Sequence, residues 1–361
     1  MQMSDYLCED FIAEIFTRLP PKSLLRFRSL SKSLHSCISS PGFIRMHTFR
    51  SPQKILFRHQ NKEAESFYTL HGDEELPLYL CPKRGYIGIT TTILFPSGGT
   101  IGSCNEIFCL RTKKGFTLCN PSIRRKLNVP EFPRRSESFL LQGIGFGFDP
   151  ISDDYKIVRI SNVKNHSFVY AVKSGTWCEI ASPKHENQIC SVQHDALFFN
   201  GVLCWVIHVY QTEPNDIGIC CILTFDLSTH VFGMMPTSNR HWLTTGLTTI
   251  QGSLTLISHR REFNERWIWV WRDASWSVVF KMNTDELYVL GALQLQPQPT
   301  NNGDLLLNTH SHGLQIYNRK TGVPSRVGDF NAASSLCYFY QCVESLYLLD
   351  TGETIGETEE L

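Results

Sequence analysis

The sequence predicts a chain in two parts, a short helical segment followed by a long all-β region with the architecture of a β-propeller. Two observations carry this prediction. The spacing of apolar residues changes from a helical period to alternation near residue 50. Beyond that point short strands and turns recur, and the turn glycines Gly201, Gly252 and Gly303 follow one another at intervals of 51 residues.

The first predicted helix lies near the start of a helical region that we place at residues 1–48. Phe11, Ile15 and Leu19 recur every four residues and form one apolar stripe, which is the pattern of an amphipathic helix. Pro20 and Pro21 are predicted to end this helix, because proline lacks the N–H group that continues the hydrogen-bond ladder.

Two further helices are predicted before residue 41. The second begins at Lys22, and the third is capped by Ser31 and ends at Pro41. Three helices of this length cannot bury all their apolar faces among themselves. The surplus apolar surface predicts either a partner protein or packing against the rest of the chain.

The all-β region is predicted to span residues 49–352. Its repeats contain a glycine turn followed by an apolar strand, as at 200–203, and several contain a second turn that starts with Asp or Asn. Asp and Asn favour turns because their side chains accept hydrogen bonds from nearby backbone N–H groups. These second turns start at Asn120, Asp149, Asp226 and Asn318. A period near 50 is typical of kelch-like blades, and about 300 residues give roughly six blades. A pair of β-sandwiches is the alternative architecture.

The two ends of the all-β region are predicted to meet. Segments 54–57 and 345–349 both read as strands, and their pairing would close a ring and remove exposed strand edges. Residues 353–361 are acidic and are predicted to be a frayed tail.

Composition argues against several classes of function. Lys+Arg and Asp+Glu both number 34, whereas a general nucleic-acid binder is usually basic. The 13 cysteines form no Cys-x-x-Cys pair, so we expect no metal site and no other cofactor, and we interpret them as buried thiols of a reduced protein. We find no signal peptide and no apolar stretch of membrane-spanning length. We therefore expect a protein of the cytoplasm, the nucleus or both, without membrane binding.

Three local patterns could carry chemistry but fit simple structure better. The Gly-x-Gly-x-Gly run at 143–147 lacks the spacing of a phosphate-binding loop and predicts a crowded strand. The Asp-rich segment 149–154 lacks the calcium-loop spacing and predicts a turn. His310 and His312 would share one face of a strand, but nothing nearby in sequence completes a metal site.

The N-terminal segment resembles the F-box of the large plant F-box family. The matching residues form a long ordered series: Leu7, Asp10, Ile15, Arg18-Leu19-Pro20, 22–28, 31–33, 38–41 and Phe43. The remainder resembles the F-box-associated interaction domain, at Asn120-Pro121-Ser122, 145–158, 222–228 and Glu344-Ser345-Leu346. Two residues depart from the family pattern: Cys8 stands where proline is usual, and Leu34 stands where tryptophan is common.

The resemblance implies a substrate-recognition subunit of an SCF-type (Skp–cullin–F-box) ubiquitin ligase. The F-box would insert apolar side chains into an Skp-type adaptor, which connects it to a cullin and a RING subunit. The associated domain would hold a target protein beside the ubiquitin-charged enzyme, so that proximity accelerates the transfer and this chain performs no bond chemistry. Carried onto this sequence, the resemblance places the adaptor contacts at Leu7, Cys8, Phe11, Ile15, Leu19, Pro20, Leu24 and Phe27.

Other functions stay open at this point. Target contacts are expected on loops at one propeller face, with candidates at 96–104, 134–142, 184–193, 211–217, 236–246 and 259–266. The helices could instead pack on the propeller and bind nothing. Cys8 and Leu34 motivate a second hypothesis, an interaction module without ligase activity. A propeller enzyme is the third, although no convergent catalytic set is visible in the sequence.

Overall fold

The structure of the chain is a computed structural model. It describes residues 9–60, 66–72, 93–94, 100–112, 115–132, 142–161, 166–183, 189–192, 195–209, 219–237, 243–260, 265–283, 298–300, 303–309, 313–326, 338–348, 350–351 and 353–354.

The N-terminal part contains four helices, α1 (Glu9–Phe16), α2 (Pro21–Arg28), α3 (Lys32–Ser39) and α4 (Pro41–Arg50). The prediction of three helices was wrong at Pro41, which begins α4 instead of ending the helical region. Proline is tolerated in the first turn of a helix, and the Ser40 hydroxyl caps α4 by accepting a hydrogen bond from the Phe43 N–H at 3.2 Å. The helical part therefore continues past residue 48 to Arg50.

Strands follow α4 through the rest of the described chain. In chain order they are β1 (Gln53–Gln60), β2 (Ser66–Gly72), β3 (Ile93–Leu94), β4 (Thr100–Cys104), β5 (Ile107–Thr112), β6 (Gly115–Asn120), β7 (Arg125–Asn128), β8 (Gln142–Asp149), β9 (Asp154–Ser161), β10 (His166–Ala171), β11 (Thr176–Ala181), β12 (Ile189–Val192), β13 (Leu197–Phe199), β14 (Val202–Val209), β15 (Ile219–Asp226), β16 (Val231–Pro236), β17 (Leu243–Ile250), β18 (Ser253–Arg260), β19 (Glu265–Arg272), β20 (Ser275–Asn283), β21 (Gln298–Pro299), β22 (Leu305–Thr309), β23 (Gly313–Tyr317), β24 (Pro324–Arg326), β25 (Tyr338–Val343) and β26 (Glu353–Thr354).

These strands build a β-propeller, as the repeat predicted. Within the described residues they form six antiparallel sheets of four or five strands. We number the sheets as blades: blade 1 is β25-β1-β2-β3, blade 2 is β26-β7-β6-β5-β4, blade 3 is β8 to β11, blade 4 is β12 to β16, blade 5 is β17 to β20 and blade 6 is β21 to β24. Neighbouring blades touch through strands such as β4 and β8, β8 and β14, and β14 and β17.

The two ends of the propeller meet in blade 1. Strand β1 pairs antiparallel with β25, in a register that runs from Gln53 opposite Val343 to Arg58 opposite Tyr338. The predicted partner segment 345–349 was wrong by several residues, because its described part follows β25 as a turn. The predicted frayed tail also needs correction, since Glu353 and Thr354 pair with β7 as β26.

The predicted turn chemistry is confirmed. Each of the four Asp or Asn side chains accepts a hydrogen bond from the backbone N–H two residues ahead, at 2.9 to 3.0 Å; these are Asn120, Asp149, Asp226 and Asn318. Asn200 and Gly201 form a tight turn with φ of 49° and 79°. A left-handed residue pair of this kind matches the twist of a two-residue hairpin.

The core consists of layers between adjacent blades. Trp205 of blade 4 is fully buried and donates a hydrogen bond from Nε1 to the Ile144 carbonyl of blade 3 at 3.1 Å. Outer strands also connect blades: Trp177 donates to the Pro130 carbonyl at 3.1 Å and Trp276 to the Pro236 carbonyl at 2.9 Å. This contact explains why an aromatic residue recurs near the start of the outer strands.

The glycine run of β8 is a crowded strand, as predicted. Side chains of blade 4 lie directly over Gly143, Gly145 and Gly147. A Cβ atom at Gly147 would lie 2.3 Å from Cδ2 of Phe198. The three glycines therefore serve the packing of blade 3 against blade 4.

Candidate functional site

Helix α1 exposes apolar side chains on one face. Phe11 is 65% exposed and Ile15 is 50% exposed. On the opposite face Ile12 and Phe16 pack into the core between the helices. An eight-residue helix that keeps two large apolar residues in water has a free surface for another molecule.

The other predicted contact residues are placed differently. Pro20 is exposed beside this face, whereas Leu19 and Phe27 are half-buried in the helical core, with Phe27 stacked on Phe16 at a ring distance of 5.0 Å. Leu7 and Cys8 lie outside the described residues.

Leu24 requires a correction. The resemblance placed it on the adaptor-binding face, but the structure buries it completely. It packs with Ile38 and Phe43 of the neighbouring helices and with Ile123 and Leu346 of the propeller. The propeller covers part of the apolar surplus that the sequence predicted, and Leu24 belongs to that part.

Three further exposed apolar residues are not in the predicted contact set. Leu30 is 69% exposed, and Met46 and Phe49 of α4 are 38% and 90% exposed. The signal for α4 was available at Ser40 and Pro41, where a capping residue precedes a proline.

Charged residues border the apolar face of α1. The Glu14 carboxylate lies 2.6 Å from the Arg50 guanidinium of α4 and 3.1 Å from the Arg18 guanidinium. Hydrogen bonds from Arg50 first, and then Arg18, hold the pKa of Glu14 below its ordinary value. The pairs connect α1 to α4 and keep Glu14 ionised beside Phe11 and Ile15.

The helices are seated on the propeller by the segment that follows β25. Leu346 of this segment is fully buried in the helical core, and Arg28 of α2 forms an ion pair with Asp350. A second ion pair joins Arg45 of α4 to Asp153 in the turn between β8 and β9, at 3.7 Å. The helical part is therefore packed against blades 2 and 3.

The propeller has two distinct faces. The turns after β6, β8 and β15 meet at one face, where Ser228 donates to Asp149 and the helices contact Ile123 and Asp153. Because strands in a blade alternate in direction, the other strand ends lie at the opposite face. Those ends include Gln142, Ala181 and Val209.

The loop candidates for target binding follow or precede these opposite ends. Of three of these candidates, residues 134–141, 184–188, 193 and 211–217 lie outside the described residues.

Both parts of the chain match known protein families. Residues 5–46 match the family model described as the F-box domain, and residues 89–292, more than half of the chain, match the F-box associated beta propeller domain. The chain belongs to the F-box proteins with an associated β-propeller. Its organisation is an N-terminal F-box followed by an F-box-associated β-propeller.

Relatives of this F-box protein come from Arabidopsis thaliana. The F-box/kelch-repeat protein At3g23880 is 22% identical over 87% of this chain and 88% of its own length. F-box protein CPR1 is 29% identical over 62% of this chain, and F-box protein At5g18160 is 25% identical over 72%. The chain spans less than two thirds of the length of these last two relatives, 58% and 65% respectively.

Among solved structures, TolB from Acinetobacter baumannii overlaps 87% of this F-box protein and 71% of its own chain. The identity is 10% and the TM-score is 0.48, an overlap that says nothing about function.

One departure from the F-box pattern can be examined directly. Leu34, where tryptophan is common, is half-buried and packs against the helical core. The smaller side chain therefore still contributes to the core. Cys8, the other departure, is outside the described residues.

A buried polar cluster joins blades 3 and 4 below the F-box. Lys156 Nζ donates to Asp149 at 2.8 Å and to the Leu227 carbonyl at 2.7 Å, and it lies 3.1 Å from His230 Nε2. Burial alone raises the pKa of Asp149, but hydrogen bonds from Lys156, Ser152 and Ser228 outweigh it and hold that pKa well below its ordinary value. These groups satisfy one another, so the cluster fastens two blades.

Across the described residues, His, Cys, Asp and Glu form no group of three or more that could hold a metal ion. His310 and His312 lie outside that part of the chain. No helix in the described ranges is long and apolar enough to cross a membrane.

Proposed function

We propose that this F-box protein is the substrate-recognition subunit of an SCF-type ubiquitin ligase. The helical part binds an Skp-type adaptor and, through it, the cullin and RING subunits. The propeller holds a protein target for ubiquitination and proteasomal degradation, and this chain itself performs no catalysis. The observation that carries the proposal is the exposed apolar face of α1, since Phe11 and Ile15 remain 65% and 50% exposed after the helices have packed on the propeller.

The mode of binding is a helix face in an apolar groove. Phe11 and Ile15 are the anchors, and Pro20 extends the contact. Leu24 contributes indirectly, because its burial fixes α2 beneath α1. Arg18 and Glu14 lie at the rim, where charges affect association rate more than affinity.

The two faces of the propeller are assigned different roles, one carrying the helices and the other binding the target. Helices α1 to α4 occupy the face of the tight turns, so we assign target recognition to the opposite face, since binding residues of a scaffold concentrate on its loops. Because the helices are packed on the propeller, a target bound at the opposite face lies at a fixed distance from the adaptor. Transfer of ubiquitin gains from this fixed geometry in the way that an intramolecular reaction does.

The decisive experiment measures binding of the full chain to a plant Skp-type adaptor. The double variant Phe11→Asp/Ile15→Asp removes both anchors, and each buried apolar side chain contributes about 1.5–3 kcal/mol. We expect the dissociation constant to rise on the order of a hundredfold or more. The matched control is Val231→Asp/Val323→Asp, which alters two exposed apolar residues of the propeller that are 61% and 59% exposed.

Two outcomes would remove the proposal. One is no binding of any such adaptor at micromolar concentration by the native chain. The other is equal adaptor affinity in the native chain and the double variant, with both proteins folded.

The alternative function is a protein-interaction module without ligase activity, which Cys8 and Leu34 motivate. Leu34 is retained in the helical core, and this favours an intact F-box. A cycloheximide chase separates the two functions. A bound partner should live longer in cells that lack this chain if the chain is a ligase subunit, and its lifetime should not change if the chain only binds.

A further inference from the structure

Glu106 has a backbone conformation that its residue type disfavours. It is the second residue of the turn between β4 and β5, with φ of 68°. At the corresponding turns of blades 4 and 5 this place is held by Gly201 and Gly252, with φ of 79° and 68°. Glycine adopts this left-handed conformation freely, whereas a residue with a Cβ atom is strained in it. A glutamate at this turn therefore strains the local backbone.

The side chain of Glu106 accounts for its presence. It is buried, with 5% of its surface exposed, and its carboxyl oxygen accepts a hydrogen bond from the backbone N–H of Val343. The Cys342 thiol lies within hydrogen-bonding reach of the same carboxyl group. Val343 is the last residue of β25, the strand that closes the propeller by pairing with β1.

Blade 2 continues to hold the chain after Val343. The Ser345 hydroxyl donates to the Asn105 carbonyl at 3.3 Å. The fully buried Asn120 side chain donates to the carbonyls of Ser345 and Tyr347 at 3.2 and 2.8 Å. The residues that come next, Leu346 and Asp350, are those that contact the helices.

We propose that Glu106 is a clasp, a residue that ties the ring-closing strand β25 to blade 2. Through this contact it fixes the position at which the F-box helices pack on the propeller. Glu106 acts through the position of Val343, so it is a positioning residue. The inference concerns the joint between the two parts of the chain and stands independently of adaptor binding.

The charges around Glu106 agree with this role. Burial first, and then the nearby Glu344 carboxylate, raise the pKa of Glu106, while the Val343 N–H, the Cys342 thiol and the Lys54 ammonium lower it. Lys54 itself pairs with Glu344 at 2.9 Å. The net shift favours the uncharged carboxyl group, which keeps an oxygen acceptor for the Val343 N–H without a buried charge. A glutamine at this position would supply the same acceptor.

The test compares Glu106→Gln with Glu106→Asn in the full-length chain. Both variants carry a side-chain amide, but the asparagine is one methylene shorter, so its amide oxygen is drawn back from the Val343 N–H. Backbone preference alone ranks the variants the other way, since asparagine tolerates the left-handed region better than glutamine. Hydrogen exchange read by mass spectrometry would follow peptides from β25, from α1 to α4 and, as an internal reference, from β14.

If Glu106 is the clasp, Glu106→Gln should exchange within about threefold of the native chain in every peptide. Glu106→Asn should exchange about fivefold faster in β25 and in the helices, with β14 unchanged, because the loss of one hydrogen bond of typical net strength changes the opening equilibrium by about that factor. Equal protection in the two variants, or better protection in Glu106→Asn, would overturn the proposal.

Glu106→Gly supplies a second, independent comparison. Relief of the strained turn predicts slower exchange in this variant, and loss of the clasp predicts faster exchange in β25. The converse variant Gly252→Glu places a glutamate in the matching turn of blade 5 and should loosen β17 and β18 only. A Glu106→Gly chain that is more protected than the native one would show that Glu106 holds nothing.

Discussion

The contact between Gly147 and Phe198 predicts a large effect from the smallest possible substitution. Gly147→Ala adds one methyl group to β8 at a place where blade 4 already occupies the space. The new Cβ would lie 2.3 and 2.8 Å from Cδ2 and Cε2 of Phe198 and 2.9 Å from Cδ1 of Leu227. Carbon atoms in contact are normally about 3.5–4.0 Å apart. The phenylalanine ring must therefore move by more than an ångström.

The energetic cost follows from what the ring loses. Phe198 packs against the layer between blades 2 and 3 and against the layer between blades 3 and 4. Overpacking of a well-filled core costs about 1–3 kcal/mol. Because the ring serves two layers at once, we expect about 2–3 kcal/mol, in the upper part of that range.

Thermal unfolding of the full chain measures this loss. For larger domains one kcal/mol corresponds to at least about 2 °C, so the melting temperature of Gly147→Ala should fall by about 4–6 °C. The matched control is Gly102→Ala on β4, where the nearest atom to a Cβ is 3.9 Å away in Phe146. This control should melt within about 1 °C of the native chain.

A double-mutant cycle identifies the clash as the cause. Phe198→Ala alone should destabilise the chain by about 2 kcal/mol through lost packing. Once the ring is gone, Gly147→Ala should add little, which gives a coupling energy of about 2 kcal/mol. Additive effects of the two substitutions would refute the reasoning, and so would equal losses for Gly147→Ala and Gly102→Ala.

Three further predictions concern single residues of the helical part and the blade junction. Leu24→Ala should destabilise the chain by about 2–5 kcal/mol in thermal melts, because a fully buried leucine leaves a cavity. Lys156→Met should cost about 3 kcal/mol at pH 7, since it leaves the buried Asp149 carboxylate without its cation. Asp149 has a lowered pKa and contributes its stability above the ordinary carboxyl range, so this cost should shrink as the pH falls below about 4. Burial lowers the pKa of His47, so the neutral imidazole stabilises the folded chain and this contribution is lost as the pH drops below about 6.5. The free energy of unfolding of the native chain should therefore fall between pH 7.5 and 5.5, and it should fall less in His47→Gln.

Each of these three predictions has an opposite outcome. A Leu24→Ala chain that keeps the native melting temperature would show that the helices do not depend on the propeller. If the difference in unfolding free energy between Lys156→Met and the native chain stayed constant from pH 7 to pH 3, the cost of the substitution would not arise from the ionised Asp149. If the stability of the native chain and of His47→Gln fell equally with pH, the loss of stability in acid would come from residues other than His47.

Much of the fold was accessible from the sequence because the decisive signals are local. An Asp or Asn side chain that accepts from the N–H two residues ahead forms its turn with little help from the rest of the chain, and all four predicted turns of this kind occur, including those at Asn120 and Asp226. The glycines at 201 and 252 likewise have the positive φ that a tight hairpin requires. Local chemistry repeated at a fixed interval was enough to predict a propeller.

Long-range partners were less accessible. Segments 338–343 and 345–349 are both short, mostly apolar runs, and this composition does not say which of them pairs with β1. The structure selects 338–343, and Leu346 in the second segment packs under the helices. The strained Glu106 carries no local signal at all, since its partner Val343 is more than two hundred residues away in sequence.

The candidate site shows the same division between local and long-range information. Helical periodicity correctly placed Phe11 and Ile15 on one face of α1, whereas the family resemblance put the buried Leu24 in the predicted contact set. The propeller completes the distinction between these residues, because Ile123 and Leu346 add to the cover of Leu24 and leave the face of α1 in water. An apolar residue in a short helical segment can serve a partner or the chain itself, and the choice is made by the segment against which the helices pack. In this chain that segment follows β25, so the strand that closes the propeller also determines which part of the F-box stays available for an adaptor.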